Sequence, residues 1–249
     1  MMKYAKDFDF VKKQVNAPPP WSSERLLSWD KSFTRSVESF VSKSYWTDTG
    51  SINVFRIIGT DHPDYIGKTW LEFLQSGKRM SENLRLLEQN PDYYLTLCKR
   101  EPRMVFTSLD GLNYYVSSDG NHRSCLARFF LSEKGMSQLH NLALTHYVVD
   151  WSFHNIYREL VDLVRQSSLA IHIQPESTAV SREDASGWKL DTFSVSLTIE
   201  DDKGTHHTDF QQSCEYLVQL RKTLSLSSYL DGYYRKPLVQ RIREAFLRT

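Results

Sequence analysis

The sequence predicts an α+β fold built around a mixed β-sheet. Strand-like runs occur at residues 52–58, 103–107 and 113–117, and residues 192–199 alternate between apolar and polar side chains. Segments with helical spacing lie before, between and after these runs, and they do not follow a simple order of one strand and one helix. A parallel sheet with helices on both faces would need that order, so we expect parallel and antiparallel strands in one sheet.

The composition is that of an ordinary globular protein. The chain has 249 residues, of which 40% are hydrophobic and 24% are charged, and its net charge is +1. Any contact with nucleic acid would therefore need a local basic patch. Cys98, Cys125 and Cys214 are far apart in the sequence, which favours reduced thiols over a disulfide framework or a zinc site. No apolar run has the length of a membrane helix, and we expect a protein of the bacterial cytoplasm without membrane insertion.

Local patterns define the remaining elements. The proline run at residues 18–20 predicts an extended or packed arm, and Asp110-Gly111 predicts the turn of a hairpin that spans residues 104–117. Residues 174–188 are polar and predict an exposed loop. Helical spacing predicts helices at residues 21–40, 70–74, 81–89, 125–131, 155–164, 212–222 and 237–247, and further strands are predicted at 147–151, 170–173 and 206–210.

The most informative segment is Asp119-Gly120-Asn121-His122-Arg123, which lies between a predicted strand and a predicted helix. A glycine turn that opens a helix leaves backbone N–H groups pointing outward, and these groups together with the helix dipole favour an anion such as phosphate. Arg123 falls in the first helical turn, where its planar guanidinium can bind a phosphate with two hydrogen bonds. A plain strand-to-helix turn is the alternative interpretation.

Single residues of this segment have more than one interpretation. Asp119 can bind a divalent metal ion or cap the helix, and capping is favoured because it needs no further ligand. His122 can orient a phosphate, act as an acid near neutral pH, or serve as a polar residue of the helix start. We expect Cys125 to be a buried thiol and Arg128 to be a surface charge.

Residues 52–133 resemble the ParB/sulfiredoxin superfamily. The resemblance consists of a strand, helices between Gly67 and Asn90, a hairpin, and a turn of the Asp-Gly-x-His-Arg type that opens a helix. It implies that Gly120, Asn121, His122, Arg123 and Ser124 hold the phosphates of a nucleotide, with ATP or CTP, and Mg²⁺, as candidate ligands. It also divides the chain into an N-terminal arm and helix (residues 1–50), a ParB/sulfiredoxin-like nucleotide-binding core (51–135) and a C-terminal α+β extension (136–249).

Two departures from the superfamily shape the functional prediction. Asn121 stands where sulfiredoxins carry their reactive cysteine, and residues 134–249 contain strand-like runs where partition proteins carry a helix-turn-helix module. The resemblance then implies a nucleotide-binding regulator of plasmid transfer or DNA handling, of the fertility-inhibition type, whose partner is DNA or a protein of the conjugation machinery. One alternative is an ATPase or a metal-dependent DNA nuclease that uses Asp119 and His122 in catalysis. Another is a protein-interaction module without a nucleotide site.

Other polar residues carry weaker signals. Arg235, Lys236, Arg241 and Arg243 could contact a nucleic-acid backbone, and a packed amphipathic helix is the alternative for the same segment. On a strand, only His207 and Asp209 of the sequence His206-His207-Thr208-Asp209 share a face, so we predict no metal site there. Lys78 and Arg79, like Arg56 and Lys68, lie on elements that this architecture brings toward the glycine turn, although we expect each to be a solvated surface charge.

Overall fold

The computed structural model of the protein describes residues 4–97 and 101–234, and the side chains of 226–234 are not described. These residues contain the strands β1 (Leu27–Ser28), β2 (Val41–Asn53), β3 (Ile57–Thr60), β4 (Val105–Ser108), β5 (Tyr114–Val116), β6 (Gln138–Val149), β7 (His172–Ala185), β8 (Trp188–Asp201) and β9 (Gly204–Thr208). Their helices are α1 (Asp9–Asn16), α2 (Trp29–Ser32), α3 (Arg35–Glu38), α4 (Trp70–Ser76), α5 (Met80–Gln89), α6 (Asn121–Glu133), α7 (Trp151–Ser167) and α8 (Phe210–Tyr234).

The chain forms two compact units. The first comprises the described residues up to 149 together with 179–194, and the second comprises 150–178 together with the described residues from 195 onward. These units cut across the three segments of the sequence-based division, because α1 and β6 both belong to the first unit.

The first unit contains a mixed sheet, as the sequence predicts. Its strands lie in the order β1-β3-β5-β4-β6-β2-β8. β1, β3 and β5 run parallel to one another, and β4 is parallel to β6. The remaining neighbours, β5 with β4, β6 with β2 and β2 with β8, are antiparallel. The hairpin predicted for residues 104–117 is confirmed, since Phe106 pairs with Val116 and Thr107 with Tyr115.

Several predicted elements are wrong in their bounds or type. The single strand predicted at 52–58 is the end of β2, the 3-10 turn Val54–Arg56 and the start of β3. The helix predicted at 21–40 is replaced by a 3-10 turn, β1 and the short helices α2 and α3. The loop predicted at 174–188 belongs mostly to β7, whose residues from Glu176 onward are exposed on both faces of the strand. A strand with both faces exposed lacks the alternation of apolar and polar residues by which a sequence reveals a strand.

Helix α6 is the central helix of the first unit. Leu126, Phe129 and Leu131 are fully buried, together with Phe8 and Val11 of the N-terminal segment. Cys125 is also fully buried, as predicted, and burial raises the pKa of its thiol far above the ordinary value.

Arg128 is not the surface charge that the sequence predicts. Its side chain is 1% exposed, and its guanidinium donates to the carbonyl of Ile57 and, at 2.6 Å, to Glu24. The rings of Trp21 and Trp70 lie 4.7 Å and 4.6 Å from the guanidinium carbon. Two aromatic rings and a carboxylate therefore compensate the buried charge, and a helical position alone does not reveal such partners.

The second unit contains α7, α8, β9 and parts of β7 and β8. Asp150 caps α7 by accepting a hydrogen bond from the backbone N–H of Phe153. The strand predicted at 192–199 and the helix predicted at 212–222 are confirmed as parts of β8 and α8. Within the described part of the chain, no helix combines the length and the apolar character that a membrane span requires. Arg235, Lys236, Arg241 and Arg243 lie outside the described residues.

Candidate anion-binding site

The glycine turn lies at the carboxyl ends of two parallel strands. Thr60, the last residue of β3, pairs with Val116, the last residue of β5. The chain leaves β5, turns at Gly120 and enters α6 at Asn121. The first turn of α6 therefore lies beyond the carboxyl ends of these strands, where a ligand can approach.

Gly120 is required by the geometry of this turn. It is the N-cap residue of α6 and has φ +113°, a left-handed conformation that side chains rarely adopt. A Cβ atom at this position would lie 2.9 Å from both Cβ and Cγ of Met104. The turn therefore packs against Met104, the residue before β4, with no room for a side chain.

The N-terminal amides of α6 remain available. The backbone N–H groups of Asn121, His122 and Arg123 donate to no acceptor within the described parts of the chain. Asn121 is 9% exposed, and its Oδ1 accepts a hydrogen bond of 2.6 Å from the hydroxyl of Thr60. The Nδ2 group at the other end of this amide has no acceptor among the residues described. Together these groups form a set of donors suited to an anion.

Arg123 is held by the protein itself. Its side chain is 13% exposed, and its guanidinium contacts Asp119 at 3.0 Å. It also donates to the hydroxyl of Tyr93 and to the backbone carbonyls of Pro102 and Arg103. These hydrogen bonds use both terminal nitrogens, so the guanidinium ties three segments of chain together beside the turn.

His122 accepts hydrogen bonds at one ring nitrogen. Its Nε2 lies 3.1 Å from the backbone N–H of Arg79 and 3.1 Å from the hydroxyl of Tyr65. Burial, and then the nearby charge of Arg79, lower the pKa of His122 from 6.5 to about 4. At neutral pH the ring is uncharged, and the proton resides on Nδ1 because Nε2 accepts from Arg79.

Two clefts meet at the turn, and both are lined by Arg79, Asp119, Gly120, Asn121 and His122. The larger cleft has a volume of about 450 Å³ and the smaller about 300 Å³. The larger cleft is lined in addition by Glu82, Asn83, Leu86, Leu87, Gln89, Asn90, Tyr93, Tyr94, Glu101, Pro102 and Arg123. The smaller cleft is lined in addition by His62, Tyr65, Lys78 and Ser118.

Asp119 and Ser124 occupy positions that the sequence does not disclose. Asp119 lines both clefts and pairs with Arg123, and the helix cap is Gly120, so the capping role expected for Asp119 is wrong. Ser124 is fully buried and lines neither cleft. No group of three or more His, Cys, Asp or Glu side chains that could hold a metal ion occurs in the described part of the chain.

Lys78 and Arg79 reach the turn although the sequence marks them as ordinary surface charges. They lie between Gly77 and the start of α5 at Met80, and the backbone N–H of Arg79 donates to Nε2 of His122. The order of the predicted elements indicates this proximity, but it does not show that both residues line a cleft there. Tyr93, which binds the guanidinium of Arg123, has no sequence signal that separates it from other surface tyrosines.

The fold and the site define an α+β protein with a mixed sheet and a donor-rich cleft at the start of a buried helix. Comparison of the chain with family models, with curated proteins and with solved structures found no match.

Proposed function

We propose that the protein binds a nucleotide or a related phosphate-bearing ligand at the start of α6. The observation that supports this most directly is the meeting of two clefts at the N–H groups of Asn121, His122 and Arg123. A helix N-terminus with unused amides stabilises negative charge, and phosphate is the common biological anion that such sites take.

The character of the larger cleft suits the remainder of a nucleotide. Its volume of about 450 Å³ is within the range of small-molecule sites. The rings of Tyr93 and Tyr94 and the side-chain amides of Asn83, Gln89 and Asn90 lie along its wall. Aromatic faces and amide groups can contact a planar base by stacking and by hydrogen bonds.

The broader role is a regulator of plasmid transfer or DNA handling, of the fertility-inhibition type. This part of the proposal rests on the resemblance of residues 52–133 to the ParB/sulfiredoxin superfamily, with ATP or CTP as the candidate nucleotides. A mating assay tests it: expression of the protein in a donor strain should lower plasmid transfer, and unchanged transfer by a panel of conjugative plasmids would argue against this role.

The environment of His122 favours binding over acid catalysis. A general acid at neutral pH must carry a proton that it can donate, whereas His122 has a pKa of about 4 and accepts hydrogen bonds at Nε2. An ATPase or DNA nuclease that uses His122 as its acid would need this ring to become protonated when the ligand binds. Incubation of the purified protein with Mg²⁺ or Mn²⁺ and either ATP or plasmid DNA tests that alternative directly.

Isothermal titration calorimetry tests the binding proposal. We expect ATP or CTP to bind with a dissociation constant well below 1 mM, which corresponds to about 4 kcal/mol of binding free energy. The matched comparison is the corresponding nucleoside, which lacks the phosphates and should bind at least tenfold more weakly. Equal affinity for nucleoside and nucleotide would remove the basis for an anion site.

A further inference from the structure

Two cations at the start of α5 give the smaller cleft a positive wall. Lys78 and Arg79 are exposed and line this cleft, and neither pairs with an acidic side chain among the described residues. The acidic side chain in the same lining is Asp119, which lies 3.0 Å from the guanidinium of Arg123. The smaller cleft therefore has an excess of positive charge beside the amides of α6.

A hydrogen bond to the His122 ring holds the backbone of Arg79 beside the glycine turn. His122 projects from the first turn of α6 and accepts the N–H of Arg79 at Nε2, while the hydroxyl of Tyr65 donates to the same nitrogen. The backbone of Arg79 is thus anchored to the glycine turn through His122, and Lys78 is its neighbour in the chain.

Arg123, which the sequence predicts to bind phosphate, has its guanidinium bound to other residues of the protein. Its two terminal nitrogens are bound to Asp119, Tyr93 and two carbonyl groups. By contrast, the Nδ2 group of Asn121, a residue that is 9% exposed and lines both clefts, has no acceptor among the described residues. The amide of Asn121 therefore remains as a donor where the two clefts meet, and Lys78 and Arg79 are the cations of the smaller cleft.

We propose that Lys78 and Arg79 bind the anionic group of the ligand in the smaller cleft, and that His122 is a positioning residue that holds Arg79 in place as a neutral acceptor. This inference rests on the proposed function and specifies which residues carry its charge recognition. The guanidinium of Arg123 shapes the larger cleft and does not contact the anion.

Binding of inorganic pyrophosphate to charge variants tests the first half of the proposal. Each cation removed at about 4 Å from the anion should weaken binding roughly fivefold, so Lys78→Ala/Arg79→Ala should weaken it on the order of 20-fold. The double variant should also lose most of the salt dependence of binding. Arg85→Ala is the matched control, because Arg85 is an exposed cation of α5 that lines neither cleft, and it should bind within twofold of the wild type.

Sulfate, whose charge is constant between pH 6 and 8, tests the role of His122. His122→Gln keeps an acceptor near the position of Nε2 and should retain affinity within about threefold, whereas His122→Ala should lose on the order of fivefold. His62 is the other imidazole of the smaller cleft, so the pH series uses a His62→Gln background, in which the affinity for sulfate should not change across this pH range. An affinity that rises as the pH falls from 8 to 6 would mean that a charged imidazole contacts the anion, and would overturn the positioning role.

The outcomes separate this inference from the proposed function. If the wild type binds neither pyrophosphate nor a nucleotide at millimolar concentration, both fail. If the wild type binds and the Lys78→Ala/Arg79→Ala protein binds equally well, the proposed role of Lys78 and Arg79 is refuted while nucleotide binding stands. Urea unfolding of each variant accompanies the titrations, so that a loss of affinity is assigned only to a folded protein.

Discussion

Replacement of Arg123 by alanine distinguishes a structural guanidinium from one that binds the ligand. In the wild type this side chain is 13% exposed and bonds to Asp119, to Tyr93 and to the carbonyls of Pro102 and Arg103. A hydrogen bond to a charged group contributes about 1.5–3 kcal/mol, and such contributions are not additive. The carboxylate of Asp119 is 48% exposed and regains water when its partner is removed.

We therefore expect Arg123→Ala to lower the free energy of unfolding by about 3 kcal/mol, less than the sum of its bonds. Urea denaturation followed by tryptophan fluorescence measures this change. Arg123→Lys keeps the charge but cannot reproduce the planar fork, so it should recover only part of the loss. Arg85→Ala, an exposed control on α5, should change stability by no more than about 0.5 kcal/mol.

The result that would refute this reasoning is specific. If Arg123→Ala unfolds at the wild-type urea concentration and loses pyrophosphate binding, the guanidinium contacts the ligand, as the sequence alone predicts. Loss of stability with retained pyrophosphate binding in the folded fraction supports the structural role.

Three further predictions concern the same helix. Gly120→Ala should destabilise the protein by about 1–3 kcal/mol in urea, and by more than Gly135→Ala, which shares a positive φ but would place its Cβ in open space; equal losses would exclude the contact with Met104 as a cause. Because the pKa of His122 falls from 6.5 to about 4 on folding, the unfolded chain binds the proton first, and stability should decrease as the pH falls through this window. His122→Gln should remove that part of the pH dependence, and an unchanged profile in urea titrations would contradict the neutral ring. Cys125, fully buried with a raised pKa, should react with iodoacetamide only after unfolding, as peptide mass spectrometry can show, and rapid labelling of the native protein would argue against its burial.

The sequence was most informative where the local pattern and the tertiary environment agree. Asp110 accepts the N–H groups of Leu112 and Asn113, so the predicted hairpin turn follows from local chemistry. The helix after Gly120 was equally predictable, because its apolar residues pack into the core of the first unit. By contrast, β2 has a mostly half-exposed or exposed surface, which gives no regular alternation to identify it.

The candidate site could be located from the sequence, but its charge distribution could not. The Asp-Gly-Asn-His-Arg segment indicates a turn with open amides, and the structure places these amides at two clefts. The sequence predicts Arg123 as a phosphate ligand and Arg128 as a surface charge. In the structure both side chains bind partners from distant parts of the chain. Contacts of this kind depend on the packing of separate elements and leave no local pattern.

The most direct test of the central claim is the response of the α6 amides to an anion. In a ¹⁵N-labelled sample titrated with pyrophosphate, we predict saturable changes in the chemical shifts of the N–H groups of Asn121, His122 and Arg123, with smaller changes at Lys78 and Arg79. Absence of any change at these amides up to millimolar pyrophosphate, or changes confined to other surfaces, would contradict an anion site at the start of α6.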